Sequence, residues 1–237
     1  MPEAVAAGQQ PLRELVAAAG RVLHHQGLTD YLGHCSARVP GTDRMIIKPK
    51  HSPAVTSPAA LGAADMVVID LSGALIEGTA PPPAEYFLHT EIYRARPDVR
   101  AVVHTHQQAA TLLGVIGAEL LPVLHVPAAL TGGRIATWPC PLLVTTPELG
   151  RELAAALGDE QLCHLQGHGI VSAGGDLRRA VVTAIALEQL AAANLAILQT
   201  GRQPRVITPA ELAGLRQSVA GIDGRWAYYL EQAEAER

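Results

Sequence analysis

The chain has 237 residues, 49% of them hydrophobic and 17% charged, and carries a net charge of −4 with histidine neutral. That apolar content excludes a disordered chain, and the slight acidity argues against nucleic acid, which calls for a basic face. Its 10 histidines outnumber the one Phe, two Trp and five Tyr together. Histidine is a common metal ligand and titrates near neutral pH, so the excess marks where chemistry is to be sought.

A chain of this length buries roughly 70–75% of its unfolded surface and needs no disulfide staples. Cys35, Cys140 and Cys163 are too far apart for a CxxC site, and their odd number suits a reduced, cytoplasmic protein. The first ten residues have no basic stretch followed by an apolar core, so no signal peptide is expected. No run of about 18 apolar residues is free of charges, Pro and Gly, so no membrane span is expected. Few aromatics with abundant Ala, Val and Leu predict an aliphatic core of helices packed on a sheet.

In chain order, residues 11–26 predict a helix, with Leu12, Leu15, Val16, Ala19, Val22 and Leu23 at helical spacing and Gly27 as the stop. Residues 29–39 read as a turn leading into a short strand. A turn at 40–43 and a second strand at 45–47 make an antiparallel pair. A polar loop spans 48–57. A strand at 66–70 turns at 71–74 and begins to return at 75–78. Three prolines, Pro81 to Pro83, stiffen the entry to a helix at 84–95.

A strand at 101–106 runs straight into a helix at 108–115. Residues 120–126 predict a strand, and Trp138 a further extended piece after a Gly132-Gly133 turn. A helix at 146–157 has Thr146 as cap and Pro147 at its first position. Strand is expected at 162–168 and 170–171, then a long Ala-rich helix at 177–200. Thr208-Pro209 starts a final helix by the same cap logic. The pattern predicts one α/β domain over 1–237 with a substantially antiparallel sheet and no internal repeat.

His104-Thr105-His106 ends a strand. Side chains at i and i+2 share a face, about 6.6 Å apart along the strand, so two imidazoles converge on one ion. A third ligand is sought in His168, flanked by Gly167 and Gly169 where backbone approaches closely, or in His164 nearby. Three protein ligands with open positions describe a catalytic site. Zn²⁺ is the first candidate; Mn, Fe and Co are compatible. Glu85, after the prolines at a helix start, reads either as a dipole or capping group or as an acid/base beside the metal. Glu188 and Asn194, on the long helix, read as structural, and His89 as a surface or satisfied core residue.

The ordered set Gly33-His34-Cys35-Ser36-Ala37-Arg38, Pro82-Pro83-Ala84-Glu85, Arg96-Pro97-Asp98 with Val102-Val103-His104-Thr105-His106, and Gly167-His168-Gly169 resembles the class II aldolase/adducin family, which includes fuculose-phosphate aldolases. The resemblance covers roughly residues 10–202, leaving a helical extension at 203–237. It implies a three-layer α/β/α fold around a mainly antiparallel sheet, and a homotetramer with sites near subunit interfaces. It implies one divalent metal held by His104, His106 and His168, with Glu85 as the catalytic acid/base. It also places His34, Ser36 and Lys48 at substrate.

Departures from the family pattern bear on the reaction. The sugar-phosphate aldolases have Gly-Asn at the first motif, a Thr-Pro-Ser-Gly-like phosphate loop, and Ser-Ser before the glutamate. Here His34 replaces the Asn, the loop reads Lys48-Pro49-Lys50-His51-Ser52, and Pro83-Ala84 precede Glu85. Lysine and histidine in place of hydroxyl and amide donors suit a carboxylate. The pattern is similar to the family's decarboxylase branch and implies a metal-dependent carbon–carbon lyase that decarboxylates a hydroxyaryl, or related hydroxy/keto, acid through a metal-stabilised enediolate. Alternatives are an aldolase acting on a sugar phosphate or similar hydroxy-ketone, a non-haem iron oxygenase acting on an aryl acid, and a non-catalytic adducin-like interaction module. The expected partner is a small-molecule carboxylate, with neither nucleic acid nor membrane. The scarcity of rings leaves little to stack an aryl substrate.

Overall fold

Aliphatic alternation along eight strands builds one sheet and two cores. The strands are β1 (His34–Arg38), β2 (Arg44–Ile47), β3 (Val67–Asp70), β4 (Leu75–Glu77), β5 (Ala101–Thr105), β6 (Ala136–Trp138), β7 (Leu162–Leu165) and β8 (Gly169–Gly174). Their order is β4-β3-β2-β1-β5-β8-β7-β6. Every neighbouring pair is antiparallel except β6–β7. The computed structural model describes residues 2–53, 57–132, 135–219 and 221–235. Gly133 of the expected turn and 54–56 of the polar loop lie outside them.

Side chains alternate across a strand, so Ala101 and Val103 face one side and Val102 the other. The first side packs against α1 (Pro2–His25), α3 (Gln108–Val115), α4 (His125–Thr131), α6 (Leu177–Thr200) and α8 (Asp223–Ala235). The second packs against α2 (Tyr86–Ala95) and α5 (Pro147–Leu157). This is the expected α/β/α sandwich.

Most elements fall where periodicity and caps put them. The Thr146 hydroxyl accepts from the Leu149 N–H, and α5 follows. Three expectations are corrected. Residues 120–126 do not form a strand. Pro122 has no N–H to give a ladder, and the Asn194 side chain on α6 brackets the Leu121 backbone on both N–H and C=O. The segment therefore lies along α6 and passes into α4. The first helix reaches back to Pro2 and takes Pro11 into its interior, at the loss of one backbone bond. The helix capped by Thr208, α7 (Pro209–Ser218), is not the last, because α8 follows and ties to α1 through Arg21–Glu234.

Helix α6 is long and apolar enough to cross a membrane by composition. Its buried residues, among them Val181, Ala184, Leu187 and Ala191, instead pack in the core between the sheet and other helices.

At the start of β8 the backbone crosses close under β5. A Cβ built on Gly169 would stand 2.3 Å from the Thr105 carbonyl oxygen and 3.0 Å from His106 Cδ2. Gly169→Ala is expected to force the two strands apart and to destabilise the fold by about 1–3 kcal/mol. Urea unfolding measures this, and an unchanged midpoint would refute the close approach.

Candidate metal centre and adjoining cleft

His104 shares its sheet face with Val102, under α2 and α5. Its Nδ1 lies 2.9 Å from the Ile170 carbonyl oxygen on β8. A carbonyl only accepts, so Nδ1 carries the proton and Nε2 keeps its lone pair. Nε2 of His106 stands 3.0 Å from Nε2 of His104. His168 sits in the turn between β7 and β8, after Gly167 at φ 80°. Its ring centroid lies 4.9 Å from that of His104 and 5.0 Å from that of His106. Neither of its ring nitrogens has a hydrogen-bond partner among the described residues.

Glu85 immediately precedes α2 but makes no capping bond with its side chain. Its Oε1 accepts from the Val144 N–H at 2.8 Å and lies 3.6 Å from His168 Nε2, while Oε2 lies 3.9 Å from His104 Nε2. The dipole position supplies the backbone bend, and the carboxylate turns away to the histidines. Ligand atoms of Glu85, His104, His106 and His168 all lie within 4.8 Å of one another.

This donor set fits a divalent cation. Burial, then neighbouring His106 and His168, holds His104 well below its ordinary pKa, and burial and His168 lower His106 to about 4. Neutral imidazole is the form that binds metal. Ring nitrogens of three histidines and a carboxylate converging on one point, with the bare ring of His168, leave a cation as the natural counterpart. Three nitrogens and an oxygen suit several first-row divalent ions. His164, the competing third ligand, is on the opposite face of β7 from Cys163 and Leu165 and packs against Gly114 of α3.

The turn that carries His106 is tied to α6. Thr105 Oγ1 donates to Gln107 Oε1, and Gln107 Nε2 donates to the Ala184 carbonyl. Glu188 accepts from the N–H groups of Ala109 and Ala110 at the start of α3, satisfying two donors that a helix terminus leaves open. Glu188 and Asn194 are thus structural, as expected.

Beside the cluster opens a cleft of about 160 Å³, with Glu85, His34, Lys48, Lys50 and His51 in its wall. Lys48 is only 7% exposed, and burial pushes its ammonium down to about 8. It makes no hydrogen bond or ion pair among the described residues. His34 offers the cleft a ring whose Nδ1 is already engaged, 2.7 Å from His89 Nε2. Tyr31, in the same wall, stacks on His51 with ring centroids 4.2 Å apart.

One expectation is corrected: Ser36 does not reach the cleft. It is fully buried, and its hydroxyl is taken by His89 Nδ1 at 2.7 Å and the Tyr93 hydroxyl at 2.8 Å. His89, read as a surface or satisfied core residue, is the latter, buried with both ring nitrogens engaged, while Tyr31 and Tyr93 near the site escaped sequence reasoning. Tyr31 carried no local signal. His89 and Tyr93 stand four and eight residues after Glu85, one stripe of a helix, and that spacing was a usable sign.

The family model for the class II aldolase and adducin N-terminal domain matches residues 14–195. A 3,4-dihydroxyphthalate decarboxylase of Terrabacter sp. (strain DBF63) is 34% identical over 231 residues, covering 93% of this chain and 95% of the relative. A protein of the same name from Arthrobacter keyseri is 33% identical over 213 residues, covering 86% and 85%. The crystal structure of an aldolase II superfamily protein from Pseudomonas syringae superposes with a TM-score of 0.83 at 23% identity, covering 96% of this chain and 94% of that one. Class II aldolases use a divalent metal. With a family model matched over most of its length and relatives aligned almost end to end, this chain belongs to the class II aldolase and adducin family and is a lyase.

Proposed function

We propose that the chain is a metal-dependent decarboxylase of a hydroxyaryl carboxylate of the dihydroxyphthalate kind. The observation that carries this reading is the joining of two features. The three-histidine, one-glutamate cluster shares Glu85 with a cleft whose wall also offers His34 and a buried, unpaired Lys48. Hydroxyl and amide donors for a phosphate are largely replaced by lysine and histidine in the loop there. The relatives' names support the same substrate class.

In this reading His104, His106 and His168 hold the ion. When bound, it supplies Lewis-acid stabilisation of negative charge developing on adjacent substrate oxygens. Lys48 and His34 hold a substrate carboxylate by charge and hydrogen bonding. Tyr31 and His51 supply the ring face that composition left scarce. The bond from ring carbon to carboxyl carbon breaks, its electron pair stays with the ring and CO₂ leaves. Glu85, in its acid form with the proton on Oε2, the oxygen not engaged by Val144, then delivers that proton to the carbon and is left as the carboxylate, which solvent reprotonates.

The functional unit in this proposal is one domain over 1–237, a core of about 10–202 with the helical extension 203–237. It assembles as a homotetramer through apolar residues such as Leu112, Val115 and Ile116, which α3 and its end leave exposed. Free Cys35, Cys140 and Cys163 suit a reduced cytoplasm.

Glu85→Gln is expected to keep its metal and lose turnover by roughly a hundredfold or more. Metal content and CO₂ release check both parts, and full retained activity would remove Glu85 from the mechanism. His104→Ala or His168→Ala should abolish metal binding while His164→Ala retains it. The reverse pattern would replace the third ligand. CO₂ release from 3,4-dihydroxyphthalate without oxygen supports the decarboxylase, whereas an absolute oxygen requirement would overturn it.

Lys48 is protonated below about pH 8 and neutral above it. Since kcat/KM reports the free enzyme, it should fall as pH rises through about 8. Lys48→Arg, which stays charged, should carry the plateau to higher pH. An unmoved profile would show that the Lys48 charge does not bind substrate.

A further inference from the structure

Behind the cleft, four polar side chains form an unbroken buried line: His34, His89, Ser36 and Tyr93. Alternation on β1 puts His34 and Ser36 on the face covered by α2, where His89 and Tyr93 stand one turn apart. We propose that Tyr93, Ser36 and His89 are positioning residues that fix the tautomer of His34, so that it presents an Nε2–H donor to an anionic oxygen in the cleft. The assignment of that oxygen to a substrate carboxylate rests on the decarboxylase reading above.

The direction follows from counting protons. Among the described residues the Tyr93 hydroxyl meets Ser36 Oγ and the backbone N–H of Val102, which can only donate, so Ser36 Oγ is the acceptor within its reach. If Ser36 gave its proton to Tyr93, the buried phenol proton would have no acceptor, a loss of about 1–3 kcal/mol. Tyr93 therefore donates to Ser36. Ser36 has a single proton and gives it to His89 Nδ1. With Nδ1 accepting, a neutral His89 carries its proton on Nε2 and donates it to His34 Nδ1 across 2.7 Å. His34 is left with its proton on Nε2, the nitrogen that makes no hydrogen bond among the described residues. No bond in the line goes to a carboxylate, so a buried imidazolium would have no counter-charge. Burial lowers the His89 pKa to about 3, consistent with a neutral ring.

The far end is anchored. The Arg38 guanidinium lies over the Tyr93 ring, 4.7 Å from its centroid, and Arg38 also donates to the Tyr93 carbonyl. The hydroxyl that starts the line is thereby held in place. A fixed donor suits a permanent anion better than a ring free to turn acceptor.

The test uses the full chain, as purified, labelled with ¹⁵N at histidine. Long-range ¹H–¹⁵N spectra are expected to show His34 and His89 protonated at Nε2. Tyr93→Phe removes the first donor with little change of shape. It should give mixed tautomers at His34 and weaken binding of phthalate, an unreactive dicarboxylate probe, roughly three- to tenfold. His89→Gln retains an amide donor to His34 and should bind phthalate within about twofold of the parent, whereas His89→Leu should not. A His34 protonated at Nδ1 in the parent, or a Tyr93→Phe protein with unchanged tautomer and affinity, would overturn the proposal. None of these readouts measures turnover, so failure of the decarboxylation assay alone would count against the function and not against the relay.

Discussion

The register between β5 and its two neighbours is the constraint on which the site depends. His104 stands directly opposite His34 on β1 and opposite Val171 on β8. The first pairing brings the rings of the cleft and the metal cluster to 5.2 Å. The adjoining Thr105–Ile170 pairing puts the Ile170 carbonyl where it orients His104. A slip of one residue would turn His104 to the opposite core and dissolve both contacts. The aliphatic run Ala101–Val103 forbids such a slip, because its alternate residues are buried in different cores. Hydrophobic burial thus sets the position of a polar residue.

The site is built by burying polar groups without discharging them all. Glu85, His34, Lys48 and His104 are each at most 7% exposed. Water could have satisfied these groups at the surface; inside, each must find a partner or remain available for a ligand. His104 has one nitrogen on a carbonyl and one turned to His106 in the cluster. Glu85 has one oxygen on Val144 and one toward the histidines. His34 has one nitrogen on His89 and one toward the cleft. This repeated division orients each group through its inner atom and leaves the outer atom for chemistry. Lys48 is the exception, an unpaired ammonium whose lowered pKa reflects its burial.

Much of the fold was legible because local rules and tertiary packing agreed. Gly27, Thr146-Pro147 and Thr208-Pro209 punctuate helices through backbone chemistry that needs no distant partner. Residues 120–126 were misread because their apolar character fits a strand, while Pro122 and the distant Asn194 decide otherwise. For the site, HxH at a strand end was readable since the i, i+2 geometry is local. The choice of His168 over His164 by bare spacing was not, as β7 ends at Leu165, leaving His164 on its α3 side and His168 in the turn beyond it.

The sequence by itself determined the α/β class, the strand-borne histidine pair, the Gly-flanked third histidine and the family to which the chain is similar. These depend on periodicity, caps and motif order, all properties of neighbouring residues. Only the tertiary structure decided that Glu85 turns from its helix to the histidines, that Ser36 is withdrawn into a buried line with His89 and Tyr93, and that Tyr31 stacks on His51 at the cleft. Those outcomes depend on side chains distant along the chain meeting across a closed sheet, where burial and the pairing of each proton select one arrangement.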